Sequence, residues 1–207
     1  MTKIAVLVSG GGTNLQALID AQQAGMFENG AITAVIASKQ GAYALERAAK
    51  AGIPGYVIPR KDFPSNRAMT VALVEKLKEL EIDLVVLAGC MVIFTNELVE
   101  AYPNAIMNVH PALIPSFCGK GYYGLRVHEE ALKYGVKVSG ATVHFVTEEC
   151  DGGPIIAQEP VPVLAGDTPE TLQRRIMEQG EWIALPRAVA LFCQDRIKVE
   201  GRTVIIQ

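Results

Sequence analysis

The segment KIAVLVSGGGTNLQALIDAQQAG, Lys3 to Gly25, decides the fold. KIAVLVS is a short β-branched apolar run, the signature of a buried strand. GGGTN punctuates it. LQALIDAQQAG then sets Leu15, Leu18 and Ile19 on one helical face. The order is strand, glycine turn, helix, and it repeats through the first half of the chain.

AITAVIAS (Ala31–Ser38) reads as a second strand, and ALERAAKAG (Ala44–Gly52) as a helix closed by Gly52. GYVIP is a third strand. Met69, Leu73, Leu77 and Leu80 recur at spacings of four, four and three, which predicts an amphipathic helix. DLVVLAG (Asp83–Gly89) and AIMNV (Ala105–Val109) follow as a fourth and a fifth strand. Strands alternating with helices imply right-handed crossovers and the α/β class: a Rossmann-like, mostly parallel sheet with helices on both faces. Ligands of such sheets bind beyond the carboxyl ends of the strands, so SGGGTN, AGCMVIF and NVHP should open on one edge.

The C-terminal half changes character. VKVSGATVHFV and PIIAQEPVPVL read as additional strands joined by TEECDGG. DTPETLQRRIMEQGEWIALPRAVALF is a long helical stretch, capped by Asp167 or Thr168 with Pro169 in its first turn. Pro186 should kink or divide it. RIKVEGRTVII closes the chain as a terminal hairpin turning near Glu200–Gly201. Without an internal repeat or linker, residues 1–207 are expected to form a single domain.

Composition limits the function. Of 207 residues, 50% are hydrophobic and 20% charged, as in an ordinary globular protein. A net charge of -3 argues against nucleic-acid binding through bulk positive charge. No apolar run approaches the ~20 residues that span a bilayer, and no signal peptide is legible. Cys90, Cys118, Cys150 and Cys193 are scattered without a Cys-x-x-Cys pair, which favours reduced thiols and a cytoplasmic location.

Three motifs carry possible chemistry. Glycines 10–12 would let backbone N–H groups approach an anion at a helix N-terminus, with Thr13 and Asn14 adding donors. The same glycines would also make a tight turn. The pattern lacks the ending of a Walker A loop, and Leu15 stands where a dinucleotide fingerprint needs its last glycine. In NVHP, alternation along a strand points Asn108 and His110 the same way, suited to polarising a carbonyl oxygen and holding an oxyanion. A turn cap and a structural histidine would use the same residues. In TEECDGGP, Asp151 could accept a proton from an attacking amine, although Asp-Gly is also a plain turn signal. A zinc site would need His110, His128 and His144 together, yet no short-range histidine pair exists, and no metal is expected. A nucleophilic Cys118 or Cys150 is disfavoured because neither sits at a strand-to-helix elbow. A nicotinamide oxidoreductase is disfavoured by the incomplete glycine fingerprint and by ASKQG where a ribose-binding acid should follow the second strand.

Taken together, VSGGGTNLQALID, LAGCMVIF, NVHPALIP, GLRVHEEAL and TVHFVTEECDGGPIIAQ resemble the folate-dependent formyltransferases, most closely the phosphoribosylglycinamide formyltransferase family. The resemblance implies formyl transfer from 10-formyltetrahydrofolate, as cosubstrate, to the amine of glycinamide ribonucleotide, a step of de novo purine biosynthesis. Small molecules are then the partners, and oligomeric state is left open. Related enzymes acting on methionyl-tRNA or deformylating the folate would be expected to carry an extra domain. The resemblance assigns residues 1–110 to nucleotide and phosphate binding and 111–207 to folate binding and the catalytic loop. It makes Asn108, His110 and Asp151 the catalytic trio, with Asp151 expected to raise the His110 pKa and keep the imidazole charged. Gly11, Gly12, Thr13, Asn14 and Glu181 would bind the amine substrate. Leu87, Met91, Val92, Ile93, Phe94, Val146, Glu148 and Glu149, with Asn108, would form the folate pocket. An arginine is expected after the third strand. Asn66 stands at that position and Arg67 one residue later, so Arg67 is carried over. Ala112 replaces a serine common in this block.

Overall fold

The computed structural model describes all 207 residues. A seven-stranded sheet runs β3-β2-β1-β4-β5-β6-β7. Its strands are β1 (Thr2–Val8), β2 (Gly30–Ala37), β3 (Gly55–Val57), β4 (Leu84–Leu87), β5 (Ile106–His110), β6 (Val138–Phe145) and β7 (Ile155–Pro162). β1 to β5 are mutually parallel, β6 returns antiparallel to β5, and β7 antiparallel to β6. The sheet is thus Rossmann-like on one side and a meander on the other. β7, at the edge, carries Pro160 and Pro162, which an interior strand would not tolerate.

The period-two alternation of β1 builds two cores at once. Ile4, Val6 and Val8 face a layer that includes Leu15, Leu18 and Ile19 of α1 (Thr13–Gln23), Ala44 and Ala48 of α2 (Tyr43–Lys50), and residues of the last two helices. Ala5 and Leu7 face the opposite layer, with Leu73 and Leu77 of α3 (Asn66–Glu79) and Leu98 of α4 (Asn96–Ala101). Strands covered on both faces read as unbroken apolar runs, which is why KIAVLVS and LVVL show no polar alternation.

The expected elements form, with three shifts. β5 runs one residue past the expected end, so His110 lies inside the strand, paired with Thr142 of β6. The turn beyond it is pinned by Thr142, whose hydroxyl donates to Ala112 O at 2.6 Å and accepts from Ile114 N at 3.1 Å. The long C-terminal stretch is not divided at Pro186. It divides earlier: α6 (Pro169–Ile176) leads into a π-turn at Met177–Glu181, and α7 (Trp182–Cys193) contains the proline. Pro186 has no N–H, and its ring opposes the carbonyl four residues back; the wide turn ends just before that point. Thr168, rather than Asp167, caps α6 by accepting from Thr171 N. Asp167 instead pairs bidentately with Arg175 at 2.6 Å. α5 (Leu125–Tyr134) precedes β6, and β8 (Ile197–Glu200) with β9 (Thr203–Ile206) forms the terminal hairpin.

Candidate active site

Parallel β1, β4 and β5 bring their carboxyl ends to one edge, so the glycine loop, the 88–95 loop and the turn after β5 open together. Asn108 and His110 stand on the same side of β5, and Met107 and Val109 go to the core on the other. Antiparallel β6 sets His144 opposite Asn108, and Asn108 Nδ2 lies 3.3 Å from His144 Nε2. The loop after β6 returns Asp151 between the two histidines: Oδ2 is 3.5 Å from His110 Nδ1, and Oδ1 is 3.6 Å from His144 Nε2. Asp151 holds a left-handed backbone (φ 53°), which aspartate tolerates better than most residues. The following Gly153 is obligatory, because a Cβ there would lie 1.8 Å from Phe145 O.

Two backbone groups complete the cluster. Phe117 O accepts from His110 Nε2 at 2.8 Å, and Gly119 N–H donates to Asp151 Oδ2 at 2.9 Å. Burial would raise the Asp151 carboxyl, but the nearby His144 imidazole, the charge of His110 and the Gly119 N–H together hold it below the usual carboxylate range. For His110 the expectation fails. Burial, aided by the charge of His144, outweighs Asp151 and the Phe117 carbonyl, and lowers the imidazole pKa. The reason is depth: the residue is only 4% exposed, so desolvation exceeds the pull of a carboxylate at 3.5 Å. Near neutral pH the pair is an ionised Asp151 beside a neutral imidazole. Burial and the Asp151 charge also push the Cys118 and Cys150 thiols up, away from the thiolate a nucleophile needs.

The glycine loop is built from the opposite layer. Gly12 caps α1 in a left-handed conformation (φ 71°), and a Cβ there would lie 2.6 Å from Ala44 Cβ of α2. Arg47 of α2 donates from Nε to Gly11 O and from Nη1 to Gln16 Oε1, both at 2.9 Å, and its guanidinium lies over the Tyr43 ring. Holding that carbonyl on the α2 side brings a cation to the loop. Across from it, the π-turn aims Glu181 at α1, where Asn14 Nδ2 donates to its carboxylate at 2.6 Å. Thr13 Oγ1 contacts Met177 Sδ at 3.4 Å. Burial raises the Glu181 carboxyl, against the Asn14 hydrogen bond. Asn14 Oδ1 is buried and unpartnered.

Residues 36–38, 58, 69, 73, 90, 92 and 94 with Leu7 enclose an apolar recess beside this edge. Val92 and Phe94 line it, while Met91 and Ile93 are exposed. Met91 N–H donates to Ser9 Oγ at 2.8 Å, tying that loop to the glycine loop. Leu87 and Val146 pack in the core beneath, and Glu148 and Glu149 are solvent-exposed. Arg67 does not join the recess: it pairs with Glu97 at 2.6 Å, its side chain 77% exposed. Arg60 is the cation that reaches Asn66, and it also donates to Phe63 O at 2.6 Å.

Residues 2–189 match the protein family described as formyl transferase. The chain belongs to that family. Among curated relatives, the phosphoribosylglycinamide formyltransferase of Haemophilus influenzae is 41% identical over 200 residues, covering 97% of this chain and 91% of its own. The crystal structure of glycinamide ribonucleotide transformylase 1 from Symbiobacterium toebii superposes with a TM-score of 0.93 at 45% identity, covering 100% of this chain and 94% of that one. A formyltetrahydrofolate deformylase from Pseudomonas syringae is more distant, with a TM-score of 0.87 and 27% identity, and here the match covers 99% of this chain and 65% of that one. Some curated relatives are longer still, and the chain spans as little as 14% of their length.

A formyl transferase needs a polarising group for the formyl oxygen and a proton acceptor for the incoming nucleophile in one cleft. Asn108, His110 and Asp151 come together as expected from sequence, and Gly12, Thr13, Asn14 and Glu181 gather some distance along the same edge. His144, the Phe117 carbonyl, the Gly119 N–H and Arg47 were not legible as parts of the site. For His144 a signal existed, since an antiparallel β5–β6 pair would bring NVH and TVH side by side. For the backbone groups there was none, because any residue supplies a carbonyl.

Proposed function

We propose that the protein transfers the formyl group of 10-formyltetrahydrofolate to the primary amine of glycinamide ribonucleotide, in purine biosynthesis. The observation that carries this reading is the convergence of Asn108, His110, His144 and Asp151 at the carboxyl edge of the sheet, the same edge on which the glycine loop opens with Asn14 bound to Glu181. The first group suits an acyl centre, and the second a phosphorylated amine. The phosphate would sit on the N–H groups of residues 11–14, at the positive end of α1. The apolar side chains of Val92 and Phe94, beside the same edge, could pack against the face of a flat heterocycle.

In this reading the amine attacks the formyl carbon and negative charge grows on the formyl oxygen. Asn108 Nδ2 has one N–H toward His144 and a second free for that oxygen. His110 is neutral before attack and takes up, by way of Asp151, the proton that the attacking amine loses as the charge develops, because an adjacent anion favours the imidazolium. Asp151, ionised beforehand, accepts the proton of the attacking amine directly or through water. The adduct then collapses: the oxyanion re-forms the carbonyl, the bond to N10 breaks, and N10 takes the amine's proton back from the His110–Asp151 pair to leave as tetrahydrofolate. A cytoplasmic location belongs to the same reading and is supported by four cysteines, none of them in a disulfide.

The test is direct. Purified protein, 10-formyltetrahydrofolate and glycinamide ribonucleotide are mixed, and folate absorbance is followed. Turnover that depends on the amine is expected. Turnover only with a different amine would replace the substrate, and formate release without any amine would favour the deformylase reading that the Pseudomonas structure keeps open.

A further inference from the structure

The segment after β5 contains a backbone conformation that its residue does not favour. Phe117 has φ 50°, in the left-handed region that bulky side chains avoid. Its ring is held from two sides. Tyr122 lies 6.4 Å away at 59°, and Tyr134, the last residue of α5, packs edge-on at 6.0 Å and 74°. Such tilted and edge-to-face pairs are the favoured aromatic geometries. Tyr134 itself is 81% exposed and meets the site through the Phe117 ring. The left-handed turn presents Phe117 O to His110 Nε2, and two residues on, Gly119 N–H reaches Asp151 Oδ2. That is the same carboxylate oxygen that faces His110 Nδ1.

We propose that Phe117, clamped between Tyr122 and Tyr134, is a positioning residue that fixes the orientation and tautomer of His110, with Tyr134 as its anchor on α5. A carbonyl can only accept, so His110 must carry its proton on Nε2 when neutral. The free lone pair is then on Nδ1, against Asp151, and it is there that a second proton is taken up. Releasing the Phe117 ring lets the turn relax toward ordinary φ and withdraws the carbonyl. The imidazolium loses a charge-assisted acceptor and the ring loses its fixed direction. The inference uses the assignment of His110 to formyl transfer, but the state of the ring is measurable without the reaction.

The experiment uses the full-length protein with ¹⁵N-labelled histidine. Variants are Tyr134→Ala, Tyr134→Phe and Phe117→Leu. His110 is read by imidazole ¹⁵N shifts against pH, alongside the pH profiles of kcat and KM. The other groups that titrate near it are Asp151, His144 and His128. Tyr134→Ala and Phe117→Leu should mix the His110 tautomers and lower its pKa. Because His110 must start neutral to take up a proton, they should also move the acid limb of kcat to lower pH, with kcat reduced on the order of tenfold and the amine KM within about twofold. Tyr134→Phe keeps the ring and should behave as wild type. A uniform fall in kcat at every pH with an unchanged Nε2–H tautomer would mark a merely structural role and overturn the proposal, as would unchanged spectra and rates in both ring-loss variants. A tautomer change without any change in rate leaves the clamp standing and removes His110 from the proposed reaction.

Discussion

Asn108 Nδ2 and His144 Nε2 stand 3.3 Å apart, directly opposite each other in the β5–β6 register. His144 Nδ1 is engaged with Phe145 O at 2.8 Å, and a carbonyl only accepts, so the proton is on Nδ1 and Nε2 is an acceptor for the Asn108 amide. His144 thus fixes which way the carboxamide points. His144→Ala should leave Asn108 free to rotate and lower kcat on the order of a hundredfold, as misplacement of a polarising group does. When doubly protonated, His144 would present an Nε2–H to Asp151 Oδ1, 3.6 Å away, and help hold that carboxyl down; the variant loses this, so the acid limb of the kcat profile should move to higher pH. A limb that stays in place would show that His144 does not act on Asp151.

Asp151→Asn keeps the size of the side chain and removes the charge. Its left-handed backbone suits asparagine equally, so the fold should be retained. We expect kcat to fall by roughly 10² to 10⁴, the range for loss of a general base. Because the Asp151 carboxyl is depressed in the fold, its ionisation favours the folded state above the unfolded carboxyl pKa, and that contribution is lost as pH falls through the folded value. The acid-side decline in urea midpoint should therefore be shallower in the variant. Rates near wild type would take Asp151 out of the reaction.

The fold was legible because burial on both faces leaves a plain record. KIAVLVS, AITAVIAS and DLVVLAG could be little else, and the Met69–Leu80 spacing fixed α3. The Asn108–His110 pair was legible through strand alternation, and Asp151 through its resemblance to a known motif. What escaped were effects of depth and of unpatterned geometry. The protonation of His110 depends on burial that no local sequence encodes, and a carboxylate neighbour alone suggests the opposite sign. Arg67 lies one residue off the expected position, and on a helix one residue is about 100° of rotation, enough to turn it to Glu97. The π-turn that delivers Glu181 was masked by Pro186, the louder signal a few residues later.

The glycine loop allows a paired test. Gly12→Ala combines a positive φ with a Cβ 2.6 Å from Ala44 Cβ, so the protein should lose roughly 2–4 kcal/mol and the loop its shape. Gly11 has open space and an ordinary backbone, so Gly11→Ala should unfold at the wild-type temperature. Arg47→Gln should raise the KM for glycinamide ribonucleotide about tenfold with little change in kcat, the pattern of lost uniform binding. Calorimetry and steady-state kinetics check all three. Equal stability of the two glycine variants would contradict the packing of α2 on the loop.

His128 supplies the last prediction. It faces the core from α5, is 0% exposed, and neither ring nitrogen has a partner. Burial, with the charge of His110 adding to it, pushes its pKa down to about 4 from 6.5. Between those values the unfolded chain takes up a proton that the fold refuses, so stability is full above pH 6.5 and drains away as pH falls toward 4. The drop is worth about 3 kcal/mol when complete, and His110, lowered in the same direction, adds to it. His128→Leu removes the titrating group and both unpaired nitrogens while roughly keeping the volume, an exchange that is often neutral or stabilising. Urea midpoints at pH 7.5 should be similar for the two proteins. At pH 5 the variant should unfold at clearly higher urea than wild type, by the equivalent of about 2 kcal/mol. Parallel pH profiles would mean that the buried imidazole is protonated inside the fold after all.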